Sequence, residues 1–294
     1  LSANWMWPCK NEGEDARLYK AVEACSEFAC ALGINIPTGK DSLSMTQKYE
    51  NDKVYSPGTV IISAGAEVSD IRKIVSPVVV NDEKSTLYHV DFSFDSLKLG
   101  GSALAQSLNK LGAETPTVQD SEYFADAFNA IQTLINEDLI LAGHDISEGG
   151  MLTALLEMCF ANVEGGLCIN LDKFKHADLI KMLFAENPGV VVQVSDKNKA
   201  AFKKVLDEAG VSYLKLGTPT DERHILVEKD GATYQFGIDY LRDIWYETSY
   251  LLDTKQSFHG CAKKRYENYK QQPLEYNFHP EFKGTFESLG ISPE

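Results

Sequence analysis

His144-Asp145-Ile146-Ser147-Glu148-Gly149-Gly150 is the stretch on which the reading of this chain turns. It stands between a short apolar run, Leu139 to Ala142, and a strongly helical segment, Met151 to Phe160. A strand that ends in an acid, a hydroxyl and two glycines ahead of a helix suits phosphate and metal. Helix N-termini offer unpaired N–H groups and a partial positive charge to an anion. Gly149 and Gly150 let the backbone approach a bulky ligand where a Cβ would intrude. Ser147 can cap the helix or donate to a phosphate oxygen, and Asp145 is a hard oxygen ligand of the kind Mg²⁺ takes. The plainer alternative is a tight loop with a serine cap and a solvated aspartate. Seven residues alone leave both open.

The flanking segments alternate strand and helix. Leu87 to Phe92 reads as a strand and Gly101 to Leu111 as a helix. Asp120 caps a further helix whose Phe124, Phe128, Ile131, Leu134 and Ile135 form one stripe. Val190 to Val194 is a buried strand, Lys197 to Ala209 a helix closed by Gly210, and Val211 to Leu216 a strand. Ile225 to Glu228 and Thr233 to Phe236 flank Asp230-Gly231, a hairpin signal that makes the sheet mixed. Residues 77–240 therefore read as an α/β unit with a mixed sheet and packed helices.

Residues 1–76 carry a helix from Glu14 to Leu32, with Leu18, Val22, Cys25, Ala29 and Leu32 at helical spacing. A Gly39-Lys40-Asp41-Ser42 turn follows, then strands through Tyr49 and from Thr59 to Val68. One helix and two strands cannot close a core, so this region is expected to belong to a larger sheet. Residues 241–294 open with an amphipathic helix carrying Leu241, Ile244, Trp245, Thr248 and Leu252. An extended connector is expected after it, with Lys263-Lys264-Arg265 as a solvated face and Pro273, Pro280 and Pro293.

Composition narrows the class. A chain of 294 residues can bury a substantial core. Its net charge of −15 argues against nucleic acid, whose phosphates it would repel. Local cations or Mg²⁺ can still hold a small phosphorylated substrate. No apolar run is long enough to span a membrane, and no charged-then-apolar leader opens the chain. Six cysteines without a Cys-x-x-Cys pair are expected as buried free thiols in a reducing cytoplasm. No Gly-x-x-x-x-Gly-Lys-Ser/Thr loop occurs, and no cysteine has the strand-to-helix setting of a glutaminase nucleophile.

Five blocks occur in order: Leu1-Ser2-Ala3-Asn4-Trp5-Met6, Gly13-Glu14-Asp15-Ala16, Gly39 to Met45, Leu99 to Gln106 and His144 to Gly150. Together they resemble the large, glutamine-dependent phosphoribosylformylglycinamidine synthase family, in the second half of its synthetase region. The resemblance runs through Trp245 and covers nearly the whole chain. It implies an aminoimidazole ribonucleotide synthetase-like C-terminal domain preceded by part of the N-terminal-like domain. It also implies a piece of a longer polypeptide, to which the start at Leu1 conforms. The first half of the synthetase and the glutaminase domain are then its partners, the latter expected after Glu294.

The reaction implied belongs to purine biosynthesis. ATP phosphorylates the amide oxygen of formylglycinamide ribonucleotide, and glutamine-derived ammonia displaces phosphate to give the amidine, with ADP and phosphate. Mg²⁺ and donors that hold the nucleotide in line are what such chemistry requires. In the family, the aspartate matching Asp145 coordinates Mg²⁺ and the serine matching Ser147 contacts a bound adenine nucleotide. Of the family's two nucleotide sites, one turns over and one holds ADP and Mg²⁺ structurally. The second-half position implies the structural one, with no catalytic residue in this chain and little activity alone.

Other candidates carry less. Lys40 can neutralise phosphate and Ser42 can donate to it, against the alternative of a surface turn. Gly100-Gly101-Ser102 is an anion site or an ordinary cap. Asn4 lies in a block the family keeps near its nucleotide cleft, and His144 has no assigned role. Pro188 stands where the family tends to carry glycine. Two alternatives remain: another ATP-dependent member of the same synthetase superfamily, and a non-catalytic interaction module without ligand. Mg²⁺-dependent nucleotide affinity separates the last from the others.

Overall fold

A computed structural model describes residues 1–68, 70–82, 84–174, 178–268, 283 and 290. The chain divides into two units, 1–69 and 70–294. The first contains β1 (Ser2–Met6), α1 (Glu14–Ala31), β2 (Thr38–Ser42), β3 (Thr46–Lys48), β4 (Lys53–Tyr55) and β5 (Thr59–Ser63). β1 lies between β2, which runs parallel to it, and β5, which runs antiparallel. Alternation along this strand sends Ala3, Trp5 and then Trp7 into a small core against Leu18, Ala21 and Cys25 of α1.

Much of this unit's remaining apolar surface is open. Val22, assigned to the buried stripe, is exposed, as are Val54, Tyr55, Val60, Ile61 and Ile62. The Gly39 to Ser42 segment is a strand and not a turn. Its backbone pairs in register with β1, Lys40 opposite Asn4 and Ser42 opposite Met6.

The second unit opens with β6 (Ser85–Asp91), α2 (Ala103–Ser107), α3 (Ser121–Asn136), β7 (Ala142–Asp145) and α4 (Gly150–Phe160). It continues with β8 (Gly166–Asn170), α5 (Leu179–Phe184), β9 (Gly189–Ser195), α6 (Lys199–Glu208) and β10 (Tyr213–Thr220). Then come β11 (His224–Lys229), β12 (Ala232–Gly237), α7 (Ile238–Gln256) and α8 (Cys261–Asn268). Seven strands form one sheet in the order β12-β11-β8-β10-β6-β9-β7. β11 runs parallel to β8 and the other pairs are antiparallel, so the sheet is mixed as expected.

Alternation distributes the strands between two cores. Leu87 and Val191 join the side chains of α4 and α5 on one face; Tyr88, Val90, Val192 and Val194 join those of α3 and α6 on the other. Nearly every residue of α4 is buried, because α5, α7 and the sheet surround it. Each fully buried side chain, such as Leu155, contributes about 1.5–3 kcal/mol of transfer free energy. Asp120 caps α3 by accepting from the Glu122 and Tyr123 amides, and Asp230-Gly231 turns with positive φ at both residues.

Several expectations change. The helix expected over Gly101 to Leu111 is only α2, because Asn109 adopts φ of 55° and the chain folds back, Gly101 N–H donating to Leu111 O. Phe128 is exposed although its stripe partners Ile131 and Leu134 are buried. In α7 the buried residues are Ile238 and Arg242, while Ile244, Trp245 and Leu252 of the expected stripe are exposed. Periodicity marks an apolar face but does not supply a partner for it. Lys263-Lys264-Arg265 lies on α8 and not in an extended connector, and Arg265 pairs with Asp253 of α7. Pro273, Pro280 and Pro293 lie outside the described residues. All six thiols are free, but only Cys159 is buried and Cys30 is exposed.

Candidate functional site

β7 is an edge strand, and its pairing with β9 sets Asp145 opposite Val190 at the strand's last residue. The next residue, Ile146, is buried and donates its N–H to Gly189 O. Anchored there, the chain turns outward. The Asp145 side chain is 74% exposed, and His144 Nδ1 lies 3.5 Å from its Oδ1. Ser147 is exposed two residues on, and its carbonyl accepts from the Gly150 N–H. The carboxylate and hydroxyl thus share one loop on the open side of the strand end.

Ser147 does not cap α4. The cap residue is Gly149, with φ of 85° and no side-chain bond. The two glycines also do something other than clear space for a ligand. A Cβ on Gly149 would lie 2.2 Å from Thr153 Oγ1, and one on Gly150 would lie 2.7 Å from the Phe184 backbone. With positive φ at both, Gly149 leaves room for Thr153 of the same helix and Gly150 seats the start of α4 against α5.

An internal carboxylate occupies one amide at each of two helix starts that suggested an anion site. Glu186, in the α5–β9 connection, accepts from Gly149 N–H and from Ala103 N–H, each at 2.8 Å. Its one oxygen joins the start of α4 to the start of α2. Ser102 is an ordinary cap, accepting from Ala105 N–H and donating to Leu99 O. The Gly100-Gly101-Ser102 segment is therefore no anion site: α2 is one short turn whose leading amide is already bonded.

His144 is held from both sides. Nδ1 donates to the Asp145 main-chain oxygen at 2.7 Å, and Nε2 lies 3.3 Å from Glu157 Oε2. A cavity of about 390 Å³ opens beside the strand, lined by Val75, Ile131, Ile140 and Val192, with His144 and Asp145 among its walls. A larger cavity of about 670 Å³ lies by the end of β6, walled by His89, Asp91, Phe174 and Tyr213. Burial lowers the basicity of His89 below the ordinary histidine value, and the Asp91 carboxylate opposes that shift.

In the first unit, Lys40 Nζ contacts Ser42 Oγ, so the two lower-ranked candidates do come together on β2. Asn4 lies beside Lys40 in the register. Asp145 and Ser147 belong to the second unit.

Among the described residues no three His, Cys, Asp or Glu side chains gather as a metal site. Mg²⁺ keeps several waters and phosphate oxygens and takes one or two carboxylates. An exposed carboxylate with a neighbouring hydroxyl fits one such position in a shared metal–phosphate cluster.

Comparison with known proteins agrees with this architecture. Residues 1–67 match the FGAR-AT PurM_N-like domain, and residues 91–229 match the AIR synthase related protein C-terminal domain. The chain is 38% identical over 97% of its length to a probable chloroplastic/mitochondrial phosphoribosylformylglycinamidine synthase of Arabidopsis thaliana. It is 37% identical over 89% to phosphoribosylformylglycinamidine synthase of Homo sapiens. The chain spans about a fifth of each relative's length, 20% in both cases. Among solved structures, T. maritima PurL complexed with FGAR aligns over 82% of this chain and 39% of that one, with TM-score 0.60 and 13% identity. Hydrogenase maturation protein HypE in complex with ATP aligns over 80% and 71%, with TM-score 0.53 and 13% identity. These likenesses show the fold. Among the described residues no helix is long and apolar enough to cross a membrane.

Proposed function

The chain belongs to the phosphoribosylformylglycinamidine synthase family, and from that premise we propose that it supplies a structural Mg²⁺–ADP site to the ligase. The whole protein then converts formylglycinamide ribonucleotide, ATP and glutamine-derived ammonia to formylglycinamidine ribonucleotide, ADP and phosphate. Its partners are the first half of the synthetase and a glutaminase domain of the same polypeptide, and the compartment proposed is the reducing cytoplasm. Family membership supports the reaction; the names of solved relatives bound to ATP, ADP and FGAR support the ligand classes.

The observation that carries the site is Asp145: a carboxylate at the exposed end of the edge strand β7, turned to the open side, with Ser147 two residues on. Bound Mg²⁺ would neutralise phosphate charge there. Asp145 would contribute one anionic oxygen ligand, and the Ser147 hydroxyl would donate to a nucleotide oxygen. Glu186 and the paired glycines fix the loop that carries both. The apolar lining of the adjoining cavity suits the face of a heterocyclic base. Lys40, with Ser42, is the second candidate for phosphate.

Loss of a charge-assisted contact costs about 1.5–3 kcal/mol. Asp145→Asn in the full-length protein should therefore weaken ADP retention by roughly one to two orders of magnitude. Ser147→Ala should weaken it less, since it deletes one neutral hydrogen bond. At a structural site, both changes lower melting temperature more than turnover per folded molecule. Full ADP content with wild-type melting in Asp145→Asn would refute the metal assignment. Normal melting with abolished turnover would make the site catalytic.

A further inference from the structure

The cavity of about 670 Å³ at the end of β6 carries a charge unlike that of a phosphate site. Asp91, Asp95 and Asp207 stand in its wall against Lys173. Asp95 is already paired, to Lys98 Nζ at 2.7 Å, and also accepts from Gln119 Nε2 at 3.2 Å. Among the described residues Asp91 and Asp207 have no ion-pair partner. We propose that this cavity binds a small organic cation, a protonated amine carried on a flat aromatic body. The inference does not depend on the reading of Asp145.

Asp91 is held ready for such a ligand. Its Oδ1 accepts from the Ser93 N–H at 3.0 Å and the Ser93 hydroxyl at 2.7 Å, and its Oδ2 from the Phe94 N–H at 2.9 Å. A carboxylate offers about four acceptor sites, so one remains, and these neutral donors leave its charge uncompensated. His89 does not compensate it either, because burial holds the ring below the ordinary histidine value and so neutral near pH 7. Asp207 is exposed beside the Tyr213 phenol, which burial and then that carboxylate keep protonated.

The remaining wall suits a flat ring. Tyr213 is fixed by Tyr88 and Phe202, at ring separations of 6.1 and 5.8 Å, and Phe174 stands 6.2 Å from His89. Leu97 and Leu214 complete an apolar lining with few polar groups, and the volume falls in the range of small-molecule sites. Aromatic faces attract an ammonium group as well as a ring. Two uncompensated carboxylates against one lysine repel phosphate, so this is not a second nucleotide pocket.

The test titrates the full-length protein with 2-phenylethylamine by isothermal calorimetry, and with 2-phenylethanol and 3-phenylpropionate as its neutral and anionic counterparts. The amine should bind saturably with a dissociation constant of about 1 mM or below, within reach of a ligand of this size. The alcohol lacks the charge-assisted contacts and should bind at least about tenfold more weakly, and the propionate should not bind. Asp91→Asn and Asp207→Asn should each weaken the amine about tenfold and leave the alcohol unchanged. Asp91 also holds its own loop, so Asp207→Asn, at an exposed position, carries the test if Asp91→Asn does not fold.

Amine and alcohol binding alike would reduce the cavity to an apolar cleft and overturn the proposal. Propionate binding more tightly than the amine would make Lys173 the anchor and overturn it too. Absence of saturation, or amine affinity untouched in the folded variants, would show that no cation site exists here.

Discussion

Glu186→Ala is the change that the geometry of the loop makes most consequential outside the proposed ligands. One oxygen of Glu186 takes the Gly149 and Ala103 amides, each at 2.8 Å, so the substitution strips two helix starts of their acceptor at once. Hydrogen bonds to charged groups contribute about 1.5–3 kcal/mol each. Because one half-buried oxygen serves both donors, the lower figure applies to each, and the loss is about 3 kcal/mol. At about 2–4 °C per kcal/mol for a domain of this size, the melting temperature should fall by about 6–12 °C. Glu186→Gln keeps a neutral acceptor worth about 1 kcal/mol per bond and should lose roughly a third as much. Thermal melting gives the totals, and amide hydrogen exchange at Gly149 and Ala103 localises them. A Glu186→Ala protein that melts within about 2 °C of wild type, with both amides still protected, would refute the reasoning.

Two further outcomes follow from burial. His89 is less basic in the folded protein than the ordinary value of 6.5, so the unfolded chain takes up the proton first as pH falls. Its contribution to stability is full above that value and is lost as pH drops below it; His89→Gln should flatten the melting profile between about pH 7 and 5, and an unchanged slope would count against the burial argument. Burial pushes the Cys159 thiol up to about 12, whereas Cys30 is exposed. An alkylating reagent at about pH 8 should modify Cys30 in the native protein and spare Cys159 until unfolding, and equal rates at the two would contradict this packing.

Where two or more local signals coincided, the fold was legible. Val190 to Val194 alternates between two cores, Asp120 caps its helix, and Asp230-Gly231 forms the turn its residues demand. β1 carries the signal of Ala3, Trp5 and Trp7 two apart, whereas the strand character of Gly39 to Ser42 depends on pairing with β1 and has no local signal of its own. β8 and α5 are five and six residues long, too short for periodicity to declare them. The apolar face of α7 was legible, but its exposure was not, because a pattern does not reveal whether a partner exists within the chain.

At the candidate site the same limit recurs. Asp145, Ser147 and the two glycines are adjacent in sequence and stand out as a motif. Glu186 lies 37 residues from Gly149 and 83 from Ala103, so nothing local announces that it fills their amides. Glu157 is 88 residues from Trp245, and only the packing of α7 on α4 brings them together.

The most direct measurement is a crystal structure of the full-length protein with Mn²⁺ in place of Mg²⁺, the metal located by its anomalous scattering. The account requires a metal peak at about 2.0–2.2 Å from an Asp145 carboxylate oxygen, bridged to the phosphates of a bound adenine nucleotide. A nucleotide and metal found with Asp145 outside the coordination sphere, its carboxylate still facing solvent, would contradict it.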